Sequence, residues 1–192
     1  MRKQLSVLFA LVLALAMGSC QNNKTVDSAA GNKTLVAYFS ASEAHITAQV
    51  AKTLAEATDA DLFEIVPEQI YTAEDLDWQN DQSRSTIEMK DSTSRPAVAS
   101  KVDNMDQYTT IYIGFPIWWY TAPRIVNTFL EQYDLTGKTI IPFATSGGSD
   151  MGKSGADLKS ASAPNANWIL PGKVLNGNPP VDSLKAWVET LK

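Results

Sequence analysis

Cysteine and histidine are almost missing from this chain: its 192 residues include one of each, Cys20 and His45. Zinc sites built by a protein usually draw on several such side chains, so protein-ligated metal is not expected. Basic residues are also in deficit, with 16 Lys and Arg against 21 Asp and Glu, a net charge of −5. That balance argues against nucleic acid or an anionic membrane surface as the main partner. The longest apolar run, Leu5 to Met17 broken only by Ser6, is too short to span a bilayer comfortably. The remainder is ordinary for a globular protein, 44% hydrophobic, 19% charged and 9% aromatic. Collagen-like, low-complexity and wholly disordered classes are thereby excluded. A single domain of this length buries roughly 70% of the surface its unfolded chain exposes, so its core needs no disulfide or metal.

The N-terminus reads as a signal peptide over residues 1–19. Arg2 and Lys3 precede the apolar run, and Gly18-Ser19-Cys20 ends it in small residues. The only cysteine falls where the run stops, which resembles the bacterial lipoprotein signal, in which that residue becomes the lipidated N-terminus. Cleavage near Ala16 or Ser19 is the alternative. Processing before Cys20 leaves 173 residues and, with Arg2 and Lys3 removed, a net charge of −7. A lipid on Cys20 would be the only membrane attachment of an extracytoplasmic, otherwise soluble protein, with residues 20–32 as a polar tether. The domain itself then occupies residues 33–192.

From Lys33 the pattern alternates strand and helix. Thr34–Phe39 is a nearly continuous apolar run, as a buried parallel strand requires. Asp61–Val66, Thr109–Phe115 and Lys138–Phe143 repeat the signal, and Asn167–Leu170 repeats it weakly. Between them, Thr47–Ala57 places Val50, Leu54 and Ala57 on one helical face. Pro123–Gln132 is a helix with proline in its first turn. Asp182 is placed to cap a last helix burying Leu184, Trp187, Val188 and Leu191. Leu54, Phe63, Ile113 and Phe129 are core by position. Residues 67–108 form a long polar connection that must contain a crossover helix; its Asp75, Arg84, Glu88 and Arg95 read as a surface ion-pair network.

Alternation of this kind predicts an α/β fold, an open parallel sheet with helices on both faces. Ligands of such sheets bind beyond the carboxyl ends of the strands. Three segments occupy those positions. Ser40-Ala41-Ser42-Glu43-Ala44-His45-Ile46-Thr47 is hydroxyl-rich and opens a helix, a phosphate site that needs no Lys or Arg. Pro116-Ile117-Trp118-Trp119-Tyr120 puts aromatic rings at a strand end. Adjacent residues of extended chain cannot both face one core, so at least one of the two tryptophans is exposed or faces a ligand. Thr145-Ser146-Gly147-Gly148 is small enough for a flat ring to lie against its backbone.

These segments resemble the flavodoxin family, in particular its branch with a Pro-Ile-Trp-Trp loop. Tyr38-Phe39-Ser40, Ala60 to Pro67, Tyr71, Asp75-Leu76, Trp78, Ser83-Arg84, Glu88, Arg95-Pro96, Gly114 to Trp119, Ala122-Pro123, Thr128 to Leu130, Gly137-Lys138 and Pro142 to Gly148 follow in order and spacing. The resemblance implies five strands in the order 2-1-3-4-5 and FMN as cofactor. The phosphate would lie in the first loop, on Ser40, Ser42, His45, Ile46 and Thr47. The flavin ring would lie between Pro116–Tyr120 and Thr145–Gly148. The implied activity is electron transfer with a redox protein or a small-molecule donor or acceptor, and no catalytic acid or base is required. The alternatives are a flavin-dependent NAD(P)H:quinone-type reductase, with the 67–108 insertion walling a second pocket, and a degenerate binding lipoprotein. The first loop departs from the family pattern: Glu43 stands where glycine is expected, and Thr47 matches the helix-opening threonine only if about two residues are inserted. His45 is the loop's only candidate cation, and only when protonated.

Gly147 to Ser154 also fits the phosphate-binding pattern G-x-x-x-x-G-K-[ST] literally. No later strand ends in an acidic residue to hold magnesium, and fewer than forty residues follow. A serine hydrolase is no better, since G-x-S-x-G is absent and the lone His45 sits beside the first strand.

Overall fold

A computed structural model describes residues 32–191. Residues 1–31, on which the expected signal peptide, Cys20 and the expected tether fall, and Lys192 lie outside the described residues. Among the described residues no helix is long and apolar enough to cross a membrane.

Six strands form one sheet: β1 (Lys33–Tyr38), β2 (Asp61–Glu64), β3 (Tyr108–Pro116), β4 (Thr139–Thr145), β5 (Asn167–Trp168) and β6 (Lys173–Val174). Every pairing is parallel and the path runs β2-β1-β3-β4-β5. The expected order 2-1-3-4-5 is therefore present. The fifth position is shared, however, because β5 pairs with Thr139 and Ile140 while β6 pairs with Phe143 and Ala144. The chain dips against β4 between them. A Cβ at Gly172, whose φ is +92°, would come 2.2 Å from the Pro142 carbonyl oxygen, so only glycine fits there.

Alternation along the strands splits the core in two. Leu35, Ala37 and Phe39 join Ile111, Ile113 and Phe115 on one face, under α3 (Arg124–Glu131) and α4 (Ser154–Ser162). Val36, Tyr38 and Tyr112 face the other way, under Val50 and Leu54 of α1 (Ile46–Thr58) and Leu184 and Trp187 of α5 (Val181–Glu189). Leu54, Ile113 and Phe129 are fully buried. Phe63, only partly buried, stacks on Phe129 with ring centres 5.7 Å apart.

Several local expectations need correction. Helix α5 starts after Pro180 rather than at an Asp182 cap; Asp182 sits in its first turn, where a negative charge favours the helix dipole instead. Pro123 precedes α3 as its N-cap residue and is not inside it. The long connection carries α2 (Arg84–Lys90), capped by Ser83, whose hydroxyl accepts from the Thr86 N–H. Its charged residues do not form one network. Arg84 pairs with Glu88 at 2.7 Å, Arg95 pairs with Glu131 at 2.8 Å, and Asp75 closes a turn by accepting from the Thr72 N–H at 3.0 Å.

Candidate functional site

The three expected loops converge at the carboxyl ends of β1, β3 and β4. After β1 the chain stays extended through Phe39, whose N–H donates to the Gly114 carbonyl at 2.9 Å. It then turns over Ser42 to His45, with the His45 N–H on the Ser42 carbonyl at 2.9 Å. His45 takes up the left-handed region, φ 48°, and α1 begins at the next residue. The turn absorbs the extra length of this loop and leaves Glu43 and His45 exposed. Neither lines the cleft, so His45 is not brought to the expected phosphate position. Thr47 is: it is buried, and its Oγ1 lies 2.7 Å from Thr145 Oγ1, across from the end of β4. The Ser40 hydroxyl is buried with no hydrogen-bond partner, and Ser40, expected at the phosphate, does not line the cleft.

The second loop separates its two tryptophans. Trp118 and Thr121 exchange backbone hydrogen bonds at 3.0 Å in both directions, so Trp119 and Tyr120 form a two-residue turn. Both are left-handed, with φ 44° and 63°. Asn-Gly is the usual occupant of such a turn, because the left-handed region costs other residues roughly 1–2 kcal/mol each. The turn projects Trp119 and Tyr120 outward, 43% and 75% exposed. Trp118 points the opposite way and packs edge-on against Phe39 and Tyr71, with ring centres 5.6 and 5.5 Å away. Tyr71 is fixed in turn from the insertion: its hydroxyl donates to Glu88 at 2.6 Å, and the Arg84 guanidinium sits 4.0 Å over its ring. Burial, reinforced by the Glu88 carboxylate, pushes the Tyr71 hydroxyl well above the usual phenol range, so it stays a donor.

The third loop is tied to the second by the Ile117 N–H, which donates to the Thr145 carbonyl at 2.9 Å. Ser146 caps its own turn by accepting from the Ser149 N–H at 2.8 Å, and its N–H donates to Asn176 Oδ1 at 2.8 Å. Gly147 faces open space. Gly148 extends away and does not line the cleft. Lys153, required by the literal nucleotide-loop pattern, is exposed at the start of α4 and does not line it either.

Two cavities result. One, about 410 Å³, lies between the three loops and is lined by Ser42, Ile46, Thr47, Pro116 to Trp118 and Thr145 to Gly147. The other, about 530 Å³, adjoins it across Pro116, Ile117 and Trp118 and is closed by Leu76, Trp78, Ser85, Trp119 and Tyr120. Sequence reasoning missed Asn176 and Gly177 in the first cavity and Leu76, Trp78 and Ser85 in the second. An Asn-Gly pair after a weak strand, and a tryptophan stranded in polar chain, were the available signals. Among the described residues no cluster of His, Cys, Asp and Glu could hold a metal ion.

Comparison with known proteins agrees with this geometry. The family model described as flavodoxin matches residues 33–191. A candidate flavoprotein from Bacteroides uniformis ATCC 8492 is 52% identical over 83% of this chain and 99% of its own, with a TM-score of 0.77. Another, from Bacteroides eggerthii DSM 20697, is 47% identical over 84% and 98%, with a TM-score of 0.78. A flavoprotein from Lactobacillus acidophilus NCFM, solved in complex with FMN, shares the fold at 22% identity over 75% and 93%, with a TM-score of 0.60. No curated protein matches. With its sheet order, its three strand-end loops and a family match across the whole described domain, the chain belongs to the flavodoxin family.

Proposed function

We propose that this protein is an FMN-binding electron carrier, held on the extracytoplasmic side of a membrane by lipid on Cys20. The cleft between the three loops carries the reading. Its volume of about 410 Å³ falls within the ~300–1,000 Å³ usual for cofactor sites. Its polar groups sit at one end and its flat, apolar groups at the other. At the polar end Ser42 and Thr47 stand at the N-terminal side of the 13-residue helix α1, whose first N–H groups have no intrahelical partners. At the other end Pro116, Ile117 and Trp118 face Thr145 to Gly147, leaving a slot for a ring.

When bound, a flavin supplies one- and two-electron chemistry. The protein's part is to orient it and to set its surroundings. Trp118, anchored by Phe39 and Tyr71, gives the ring a rigid wall. The net charge of −7 that processing before Cys20 would leave, with Arg2 and Lys3 removed from a chain of −5, opposes further negative charge on the ring and so disfavours its reduction. The absorption spectrum of the purified protein tests the reading: flavin bands that bleach on reduction and return in air are expected. The tether is tested by Cys20→Ala, which should release the protein from membranes or block its processing.

A flavin-dependent reductase of small acceptors is the second reading, and the adjoining cavity of about 530 Å³ is the observation in its favour. Steady NAD(P)H oxidation by the FMN-loaded protein separates the two.

A further inference from the structure

We infer that the cavity walled by Leu76, Trp78, Ser85, Trp119 and Tyr120 binds a neutral, planar, carbonyl-bearing ring of the quinone class, seated next to the proposed flavin cleft. Its meaning as an acceptor site rests on the flavin reading; its existence as a binding site does not.

The lining decides the chemistry. No charged side chain lines this cavity, so nothing there offsets the phosphates of a dinucleotide or the carboxylate of an acid. Three aromatic rings do line its outer part, from two distant stretches of chain: Trp78 from the insertion, and Trp119 with Tyr120 from the loop after β3. Trp78 is 70% exposed, a large apolar surface that packs on nothing in the protein's core and that a flat apolar ligand would cover. Ser85 is 2% exposed, and its hydroxyl has no hydrogen-bond partner. An unpaired buried hydroxyl is unfavourable, and a ligand carbonyl is the acceptor it lacks.

The backbone points the same way. Two bulky residues occupy a turn that Asn-Gly would fill without strain, and both stand in the outer wall of the cavity. The volume of about 530 Å³ suits a small ligand. Ala41, Ser42, Pro116, Ile117 and Trp118 are common to both cavities, so a ring here would lie beside whatever occupies the cleft.

The test uses the full-length protein and 2-methyl-1,4-naphthoquinone, with binding measured by equilibrium dialysis and FMN binding measured on the same samples by fluorescence. Saturable binding is expected, weakened roughly 10-fold or more by Trp78→Ala and several-fold by Ser85→Ala, with FMN affinity unchanged in both variants. Removing an exposed indole or an unpartnered hydroxyl should leave the fold intact, and an unchanged melting curve checks this. A sulfonated naphthoquinone should bind at least roughly 10-fold more weakly, because no cation is there to receive it. Absent naphthoquinone binding, or binding indifferent to both substitutions, overturns the proposal. So does competition between FMN and the naphthoquinone, which would make the two cavities one site. Naphthoquinone binding without FMN binding would keep the site and remove the flavin reading.

Discussion

The hydroxyl oxygens of Thr47 and Thr145 lie 2.7 Å apart, both residues buried, and join the first turn of α1 to the end of β4 at the floor of the cleft. One hydrogen bond thus couples the loop expected to hold phosphate to the loop expected to hold the ring. Replacing Thr47 alone with valine leaves the Thr145 hydroxyl buried without its partner, which should cost about 1–3 kcal/mol. Replacing both should return stability close to the starting value, since no buried group is then left unpaired. FMN affinity should fall in both variants. Urea unfolding and FMN titration of the two proteins read these outcomes separately.

The Trp119-Tyr120 turn makes the opposite kind of prediction. Exchanging the pair for Asn-Gly removes two left-handed positions that disfavour bulky side chains. A gain of about 1 kcal/mol is expected, the relief of strain being partly offset by the extra freedom glycine gives the unfolded chain. The midpoint of urea unfolding should rise while the adjoining cavity loses two of its walls, a trade of function for stability.

Much of this arrangement was legible in the sequence because strand and helix periods are strong signals. Buried parallel strands such as residues 34–39 read as apolar runs, and the ligand loops follow from where those runs stop. That the two tryptophans part company was expected from extended chain, but a left-handed turn at Trp119-Tyr120 is what separates them, and which ring turned inward depended on Phe39 and Tyr71, distant in sequence. The split between β5 and β6 was hidden because each strand is two residues long. Helix α4 carries little sequence signal: its run of Ser, Ala and Lys has few apolar residues, and of its three buried residues, Ser154, Gly155 and Leu158, only Leu158 has a large apolar side chain. Trp78 lies in irregular chain and Ser85 in the first turn of the short helix α2, and both reach the site through the tertiary path of the insertion, which their spacing in the sequence does not show.

Acid should loosen the link between that insertion and α3. The Arg95 guanidinium, hydrogen-bonded to Glu131 at 2.8 Å, holds this carboxyl below its ordinary value, and the Ser162 hydroxyl assists. A carboxyl whose pKa is lowered by folding stabilises the protein above its unfolded value of 4.5 and loses that contribution as pH falls through the folded value. Glu131→Gln should therefore lower stability at pH 7, by less than about 1 kcal/mol for a pair this exposed. The difference from the parent should vanish once the pH is well below 4.5, as thermal melts across that range would show.

The most direct measurement is a paired titration of the full-length protein with FMN and with riboflavin, followed by flavin fluorescence. Saturable quenching by FMN at micromolar concentration is predicted, with riboflavin bound at least roughly 10-fold more weakly, as expected if charge-assisted bonds from Ser42, Thr47 and the α1 N-terminus hold the phosphate. That preference should survive His45→Ala, since His45 is turned out of the cleft. FMN fluorescence left unchanged at micromolar protein, or equal affinity for FMN and riboflavin, would contradict a phosphate-anchored flavin between these loops.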